Sequence, residues 1–248
     1  MKRFIAYFDF LGYKEFILNN SVEHLKRRAR HILRDIEISL GQGKYLAPNN
    51  GVIISDLSTT RINCLNISDT VIFWTHDDSI ESLEELMLVA YEFNWREVLI
   101  NFPVRGVIYF DAIEMISGQQ ENQSGAIYSP NLIYGHGLVK AHLKAESLNW
   151  AGSVIDQTVI DQIKGEVDIQ DFFTPFAKTY HVPYKEHEKN TKEEFALNII
   201  KGKLNDETFE KYKNDIVRTF SLDNKPIDKP RVQEILENTI TFLETFRK

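Results

Sequence analysis

Two aspartates, a glycine and an arginine stand at points where the chain changes character. "FIAYFDFLGY", residues 4–13, is an apolar run closed by Asp9, with Gly12 three positions on. "NISDTVIFW" sets Asp69 before a second β-rich run, and "FPVRGVIYF" sets Arg105 inside a third. Taken singly, these residues have ordinary uses. Asp9 suits a turn or cap, Asp69 a hairpin tip, and Arg105 a structural ion pair, because an unpaired charge in an apolar strand is costly. Together they allow sharper chemistry. Two carboxylates at one locus repel unless a cation joins them. Oxygen ligands suit Mg²⁺ or Mn²⁺, which keep places for water and substrate phosphates. Two such ions can activate a nucleophilic oxygen and hold the leaving phosphates of an in-line displacement. The turn after Asp9 offers backbone N–H groups, and Gly12 lets that backbone approach a phosphate closely.

The elements that must position these groups are readable. "FIAYFDF" is short and β-rich, which predicts a buried strand over about 4–10, followed by a helical turn at 13–18. Leu25, Ala29, Ile32, Leu33, Ile36 and Leu40 recur at helical spacing, with Ser21 as N-cap and Gly41 at the C-terminal end. "GVIISDLSTTRINCLNISDTVIFWT" reads as two strands around a tight turn at "NISD". A long amphipathic helix follows from Asp78. "PVRGVIYFDAIEM" is a strand with Pro103 at its entrance. "SGQQENQSG" is a polar connector, "GHGLVKAHLKAES" leads into a helix, and "SVIDQTVIDQIKG" reads as strand, turn, helix. After about residue 170 come a hairpin with a charged connection, "KTYHVPYKEHEKNTKEEFALNII", and two helices. This order predicts an α+β fold, a ferredoxin-like βαββαβ antiparallel core. Residues 1–165 would form the core and residues 166–248 a C-terminal extension of hairpin and helices, packed on the core or on a dimer partner. In such a core the strands bearing Asp9 and Asp69 are adjacent, so both carboxylates reach one sheet end.

Composition limits the classes of function. With 43% hydrophobic and 26% charged residues, the 248-residue chain is an ordinary globular protein with a substantial core. A net charge of −7 leaves no global basic field for nucleic acid, so an anionic substrate needs a local device. The run "KRRAR" is short and reads as a solvated face. The single cysteine, Cys64, excludes an intrachain disulfide and a cysteine-based zinc site. No nucleophilic serine or cysteine motif and no Walker-type glycine loop is present. No signal peptide or membrane-length apolar run is visible, so the expected location is cytoplasmic, without membrane insertion.

Four stretches resemble, in order, the class III nucleotidyl cyclases. "FDFLGY" is similar to their strand-ending metal motif. "ISDTVIFW" is similar to their second metal hairpin, with Ser68 where the family usually has glycine. "FPVRGVIYF" is similar to the strand whose arginine contacts the triphosphate. "YGHGLVKAHLKAESLNWAGSVID" is similar to the segment entering the last core helix. The resemblance covers about residues 3–160. It implies that Asp9, Asp69 and the Phe10 carbonyl hold two Mg²⁺ or Mn²⁺ ions. It implies that Leu11, Gly12 and Tyr13 offer backbone to phosphate and that Arg105 pairs with the triphosphate. The implied reaction is cyclisation of a nucleoside triphosphate with release of pyrophosphate, in a homodimer with composite active sites.

The chain also departs from the family pattern. The helix positions usually held by asparagine and arginine carry Val139 and Leu143. Lys140 and Lys144 repeat that spacing one residue along, as candidate substrate contacts or as a solvated helix face. Leu65 and Leu132 stand where purine readers are expected, and leucine cannot hydrogen-bond a base edge. Arg61, Asn63 and Asn66 are candidates to read a smaller base. This combination resembles the pyrimidine cyclases of bacterial Pycsar anti-phage systems, which make cyclic UMP or cyclic CMP. An effector activated by the cyclic nucleotide would then be a functional partner. A purine cyclase and a non-catalytic nucleotide-binding homologue are the alternatives.

Overall fold

β1 (Lys2–Phe10) is apolar on both faces, which suits the middle of a sheet, and Phe4 to Phe8 are all buried. The computed structural model describes residues 1–46, 54–185 and 191–247. A turn leads from β1 into α1 (Tyr13–Leu18) and then α2 (Val22–Gly41), whose N-cap Ser21 accepts a hydrogen bond from the His24 N–H. β2 (Asn63–Ile67) and β3 (Thr70–Trp74) form the expected hairpin. α3 (Ile80–Leu99), capped by Ser79, crosses to β4 (Val104–Ala112).

The strand order β4-β1-β3-β2, all antiparallel, is the ferredoxin-like arrangement that the α+β reading expects. α3 covers one face, where Phe93 meets Phe8 and Phe73 edge-on at 5.0 and 5.5 Å between ring centroids. α2 packs on α3. One detail differs from expectation. The strand before the Asp69 turn starts only at Asn63. Ile54–Arg61 makes one isolated bridge, Tyr45 to Ser55, and the first residues of that stretch lie outside the described ones.

Beyond β4 the chain adds β5 (Glu114–Ser117), β6 (Gln120–Glu121), β7 (Ile127–Tyr128) and β8 (Asn131–Tyr134). The β5–β8 and β6–β7 pairs are small two-stranded sheets, so the predicted polar connector is itself a hairpin. α4 (His136–Ser147) returns onto the face of β1 and β4 opposite α3. Gly137 permits this approach, because a Cβ there would lie 2.6 Å from Ile5 Cδ1 and 2.9 Å from the Ala112 carbonyl oxygen.

β9 (Ser153–Ile155) joins β4 in parallel, and α5 (Gln157–Ile163) and α6 (Ile169–Phe173) follow. β10 (Ala177–Val182) and β11 (Lys192–Leu197) extend the same sheet through β9, giving seven strands; their charged connection falls partly outside the described residues. α7 (Asp206–Ser221) packs on α3, and α8 (Pro230–Glu244) packs on α7.

The last helix is held by buried groups. Fully buried Trp150 meets Phe242 edge-on at 4.7 Å, and Thr239 Oγ1 accepts the Ala151 N–H at 2.8 Å. Such an aromatic pair adds about 0.5–1.5 kcal/mol beyond its burial. No helix among the described residues is long and apolar enough to cross a membrane.

Candidate active site

Asp9, Thr70 and Arg105 form one row across β1, β3 and β4, so their side chains share the α4-covered face. The Arg105 guanidinium donates from Nε and Nη2 to the same oxygen of Asp9, Oδ2, at 2.7 and 2.6 Å. Its Nη1 donates to the Glu146 carbonyl on α4 at 3.2 Å. Asp9 Oδ1 accepts no hydrogen bond from the described residues. Ser68, at φ 54°, turns the β2–β3 hairpin sharply, and the Phe10 N–H donates to the Asp69 carbonyl at 2.8 Å. That bond ties the hairpin tip to the end of β1. The Asp69 carboxylate has no hydrogen-bond or ion-pair partner among the described residues.

The electrostatics match this geometry. Burial pushes the Asp9 carboxyl above the ordinary carboxylate range; Arg105 opposes the rise and the charge of Asp69 adds to it. The charge of Asp69, on the adjacent strand hairpin, thus reaches the Asp9 carboxyl. Among the described residues no third metal-ligating side chain joins them in a cluster. Two carboxylates with unused oxygens are still a fitting donor set for Mg²⁺ or Mn²⁺, which take one or two carboxylates and fill the remaining positions with water and phosphate.

The turn after Asp9 divides its N–H groups. Leu11 N–H donates to the Pro103 carbonyl at 2.8 Å, so it is not available to a ligand. Gly12, at φ 80°, is the residue before α1, and the Gly12 and Tyr13 N–H groups have no backbone acceptor among the described residues. Phe10, Leu11, Gly12 and Tyr13 all line a cleft of about 450 Å³ together with Asp9, Asp69 and Arg105.

Three proposed substrate contacts lie elsewhere. Arg61 pairs with Glu85 of α3 at 2.9 Å, away from the cleft. Lys140 is held by Asp111 at 2.7 Å, and Lys144 by Asp156 and Glu194. These carboxylates come from β4, the end of β9 and β11, so the α4 lysines bind their own sheet. Asn63 and Asn66 turn their amides to the Trp74 and Thr70 carbonyls across the hairpin. Val139 and Leu143 are exposed on α4, at 57% and 58%.

Other groups beside the acids were not legible. Tyr7, two residues before Asp9, shares a hydrogen bond with His142 Nδ1 at 2.9 Å and another with Thr70 Oγ1 at 3.3 Å. Burial raises the Tyr7 phenol pKa, with Asp9 and Asp69 adding to the effect of burial. In the sequence Tyr7 is one aromatic in a core strand. The period-2 relation to Asp9 was the available signal. The cleft is also lined by the C-terminal region, including Phe220, Lys225, Lys229 and Arg231. Lys229 reaches Glu15 of α1 at 2.9 Å. Asn20 Nδ2 donates to the Asp223 carbonyl and Asn19 Nδ2 to the Asn224 carbonyl, at 2.6 and 2.8 Å, fixing this segment beside the Gly12 turn.

No protein-family model matches the chain, and no curated protein matches it. Among solved structures it is similar to the guanylate cyclase domain of RhGC from Catenaria anguillulae in complex with GTP. That likeness has a TM-score of 0.49 at 8% identity and covers 79% of this chain and 96% of that one. It is similar to a dimeric guanylyl cyclase domain of the RhoGC fusion protein from Blastocladiella emersonii (TM-score 0.48, 8% identity, 79% and 95% covered). It is also similar to the adenylyl cyclase CyaB from P. aeruginosa (TM-score 0.39, 11% identity, 80% and 95% covered).

Proposed function

We propose that the protein is a metal-dependent nucleotide cyclase. The observation that carries this reading is the meeting of Asp9 and Asp69 at one sheet end, with Arg105 on Asp9 and the Gly12 turn alongside. Asp9, Asp69 and the Phe10 carbonyl would hold two Mg²⁺ or Mn²⁺ ions. Bound there, the ions would lower the charge barrier to attack at phosphorus. Arg105 leaves Asp9 for the triphosphate, and the Gly12 and Tyr13 N–H groups bind phosphate oxygens. In the reaction the ribose 3′-hydroxyl would pass its proton to solvent water, and its oxygen would bond to the α-phosphorus. The bond from the α-phosphorus to the bridging oxygen breaks, and pyrophosphate leaves.

Leu65 and Leu132 support a pyrimidine substrate, UTP or CTP, because neither can read a purine edge. A role in anti-phage signalling through a cyclic-nucleotide-activated effector follows from the Pycsar resemblance. The purine cyclase is the direct rival on the base. Incubation with Mn²⁺ and each of the four ribonucleoside triphosphates decides these points. Cyclic UMP or cyclic CMP is the expected product, a cyclic purine product would reassign the base, and no product from a folded dimer would sink the cyclase reading.

A second reading, nucleotide binding without turnover, is favoured by one observation: the α4 lysines are committed to Asp111, Asp156 and Glu194. Ile67 at the hairpin tip and Val139 and Leu143 on α4 are exposed apolar side chains, which suits a homodimer with composite active sites. Leu143→Glu should convert a dimer to monomer in sedimentation analysis.

A further inference from the structure

The cleft has an acidic side that the cyclase reading uses and a basic side that it does not. Among the described residues five cations line it against three carboxylates, in a chain whose net charge is −7. Three of the five, Lys225, Lys229 and Arg231, come from one short segment entering α8. We infer that residues 225–231 form a phosphate-binding wall in which Arg231 and Lys229 take the terminal phosphates of the nucleoside triphosphate. The substrate in this inference rests on the cyclase reading; the anion site itself does not.

Arg231 is exposed, and its guanidinium has no hydrogen-bond or ion-pair partner among the described residues. It lines both the cleft and a neighbouring cavity of about 640 Å³, so it stands where the two meet. Lys225 is 7% exposed, and its ammonium has no hydrogen-bond partner among the described residues; it lies 3.6 Å over the Phe102 ring. Among the described residues no side chain caps the start of α8, so the N–H groups of its first turn add to the positive character of this wall.

The pKa of nearby Lys185 is pulled down to about 8, first by burial and then by the charges of Arg105 and Arg231. Cations from three parts of the chain are thus crowded together, and a polyanion would relieve that crowding. Lys229 can join them at little cost. Its pair with Glu15 is between side chains 55% and 31% exposed, and such surface pairs contribute little stability. Arginine is also suited to bidentate phosphate contacts.

The test is calorimetric titration of the full chain with inorganic tripolyphosphate, in parallel with a nucleoside 5′-monophosphate. Arg231→Ala should weaken tripolyphosphate binding roughly tenfold, about 1.4 kcal/mol, and leave monophosphate binding unchanged. Arg231→Glu should weaken it further. Lys164→Ala removes one exposed positive charge paired with Asp161, outside the cleft, and should change neither. Equal tripolyphosphate affinity in Arg231→Ala and the parent would overturn the inference, even if cyclic product is formed. A tenfold loss in a protein that makes no cyclic product would uphold the phosphate wall and remove only the cyclase reading.

Discussion

Replacing Arg105 by methionine separates its role on Asp9 from any role on substrate. In the resting fold the guanidinium holds one Asp9 oxygen at 2.6–2.7 Å, with the two side chains 13% and 16% exposed. Removing one partner of a fully buried pair costs about 3–5 kcal/mol; the residual exposure here reduces that to roughly 2–3 kcal/mol at pH 8. The deficit must depend on pH. Asp9 is already raised by burial, and a methionine in place of Arg105 no longer opposes that rise or the repulsion from Asp69. A carboxyl with a raised folded pKa binds its proton more tightly in the folded state. Stability is then lost as pH climbs from the unfolded value, about 3.9, through the folded one. Urea unfolding of parent and variant at pH 4.5, 6 and 8 should show the gap closing towards acid, to below about 1 kcal/mol at pH 4.5. Millimolar Mn²⁺ at pH 8 should restore much of the loss, since Asp9 and Asp69 are then both open to a cation. A deficit equal at every pH would mean that packing, not charge, was lost. No recovery with Mn²⁺ would mean that the two acids are not a cation site.

Asp69→Ala should abolish cyclic product while leaving the thermal midpoint equal or slightly higher, because the lost carboxylate has no partner among the described residues and repels Asp9; unfolding of the variant would refute that account. Lys225→Met should stabilise the fold by roughly 2–4 kcal/mol at pH 6. Burial depresses Lys225 to about 7, so its folded pKa lies below its unfolded value and the cost of its charge is full below pH 7 and fades towards pH 10. The gain in denaturant stability should shrink over that range; a constant difference would show that the ammonium is not the source.

The core and the meeting of the acids were legible because both follow from local pattern plus topology. β1 is buried without a break from Phe4 to Phe8, which marks a central strand, and a ferredoxin-like order puts β3 beside it. Asp9 and Asp69 then share a sheet end without further information. The Ser21 cap and the α2 periodicity were equally local. What failed to show in the sequence depends on partners distant along the chain. Lys140 and Lys144 have the spacing of a functional pair, but carboxylates on β4, at the N-cap of α5 and on β11 hold them. Arg61 is taken by Glu85 on α3. Leu11 looks like Gly12 and Tyr13 until the Pro103 carbonyl claims its N–H. Lys225, Lys229 and Arg231 carry no local sign of a site, because their place beside the Gly12 turn depends on distant partners: Asn19 and Asn20 hold the backbone of residues 223 and 224, and Glu15 holds Lys229.

That docking also sets an order of assembly. The cleft joins β1 to α8, so during synthesis neither wall has its partner until α8 has left the ribosome. A nascent chain with β1 through β4 in place would have its carboxylates but no basic wall, and β9 would still lack the hairpin that extends it. On this arrangement the cleft gains its basic wall only once α8 has been made and has docked. A short label after α8 tests the fold's tolerance far less than one that replaces it.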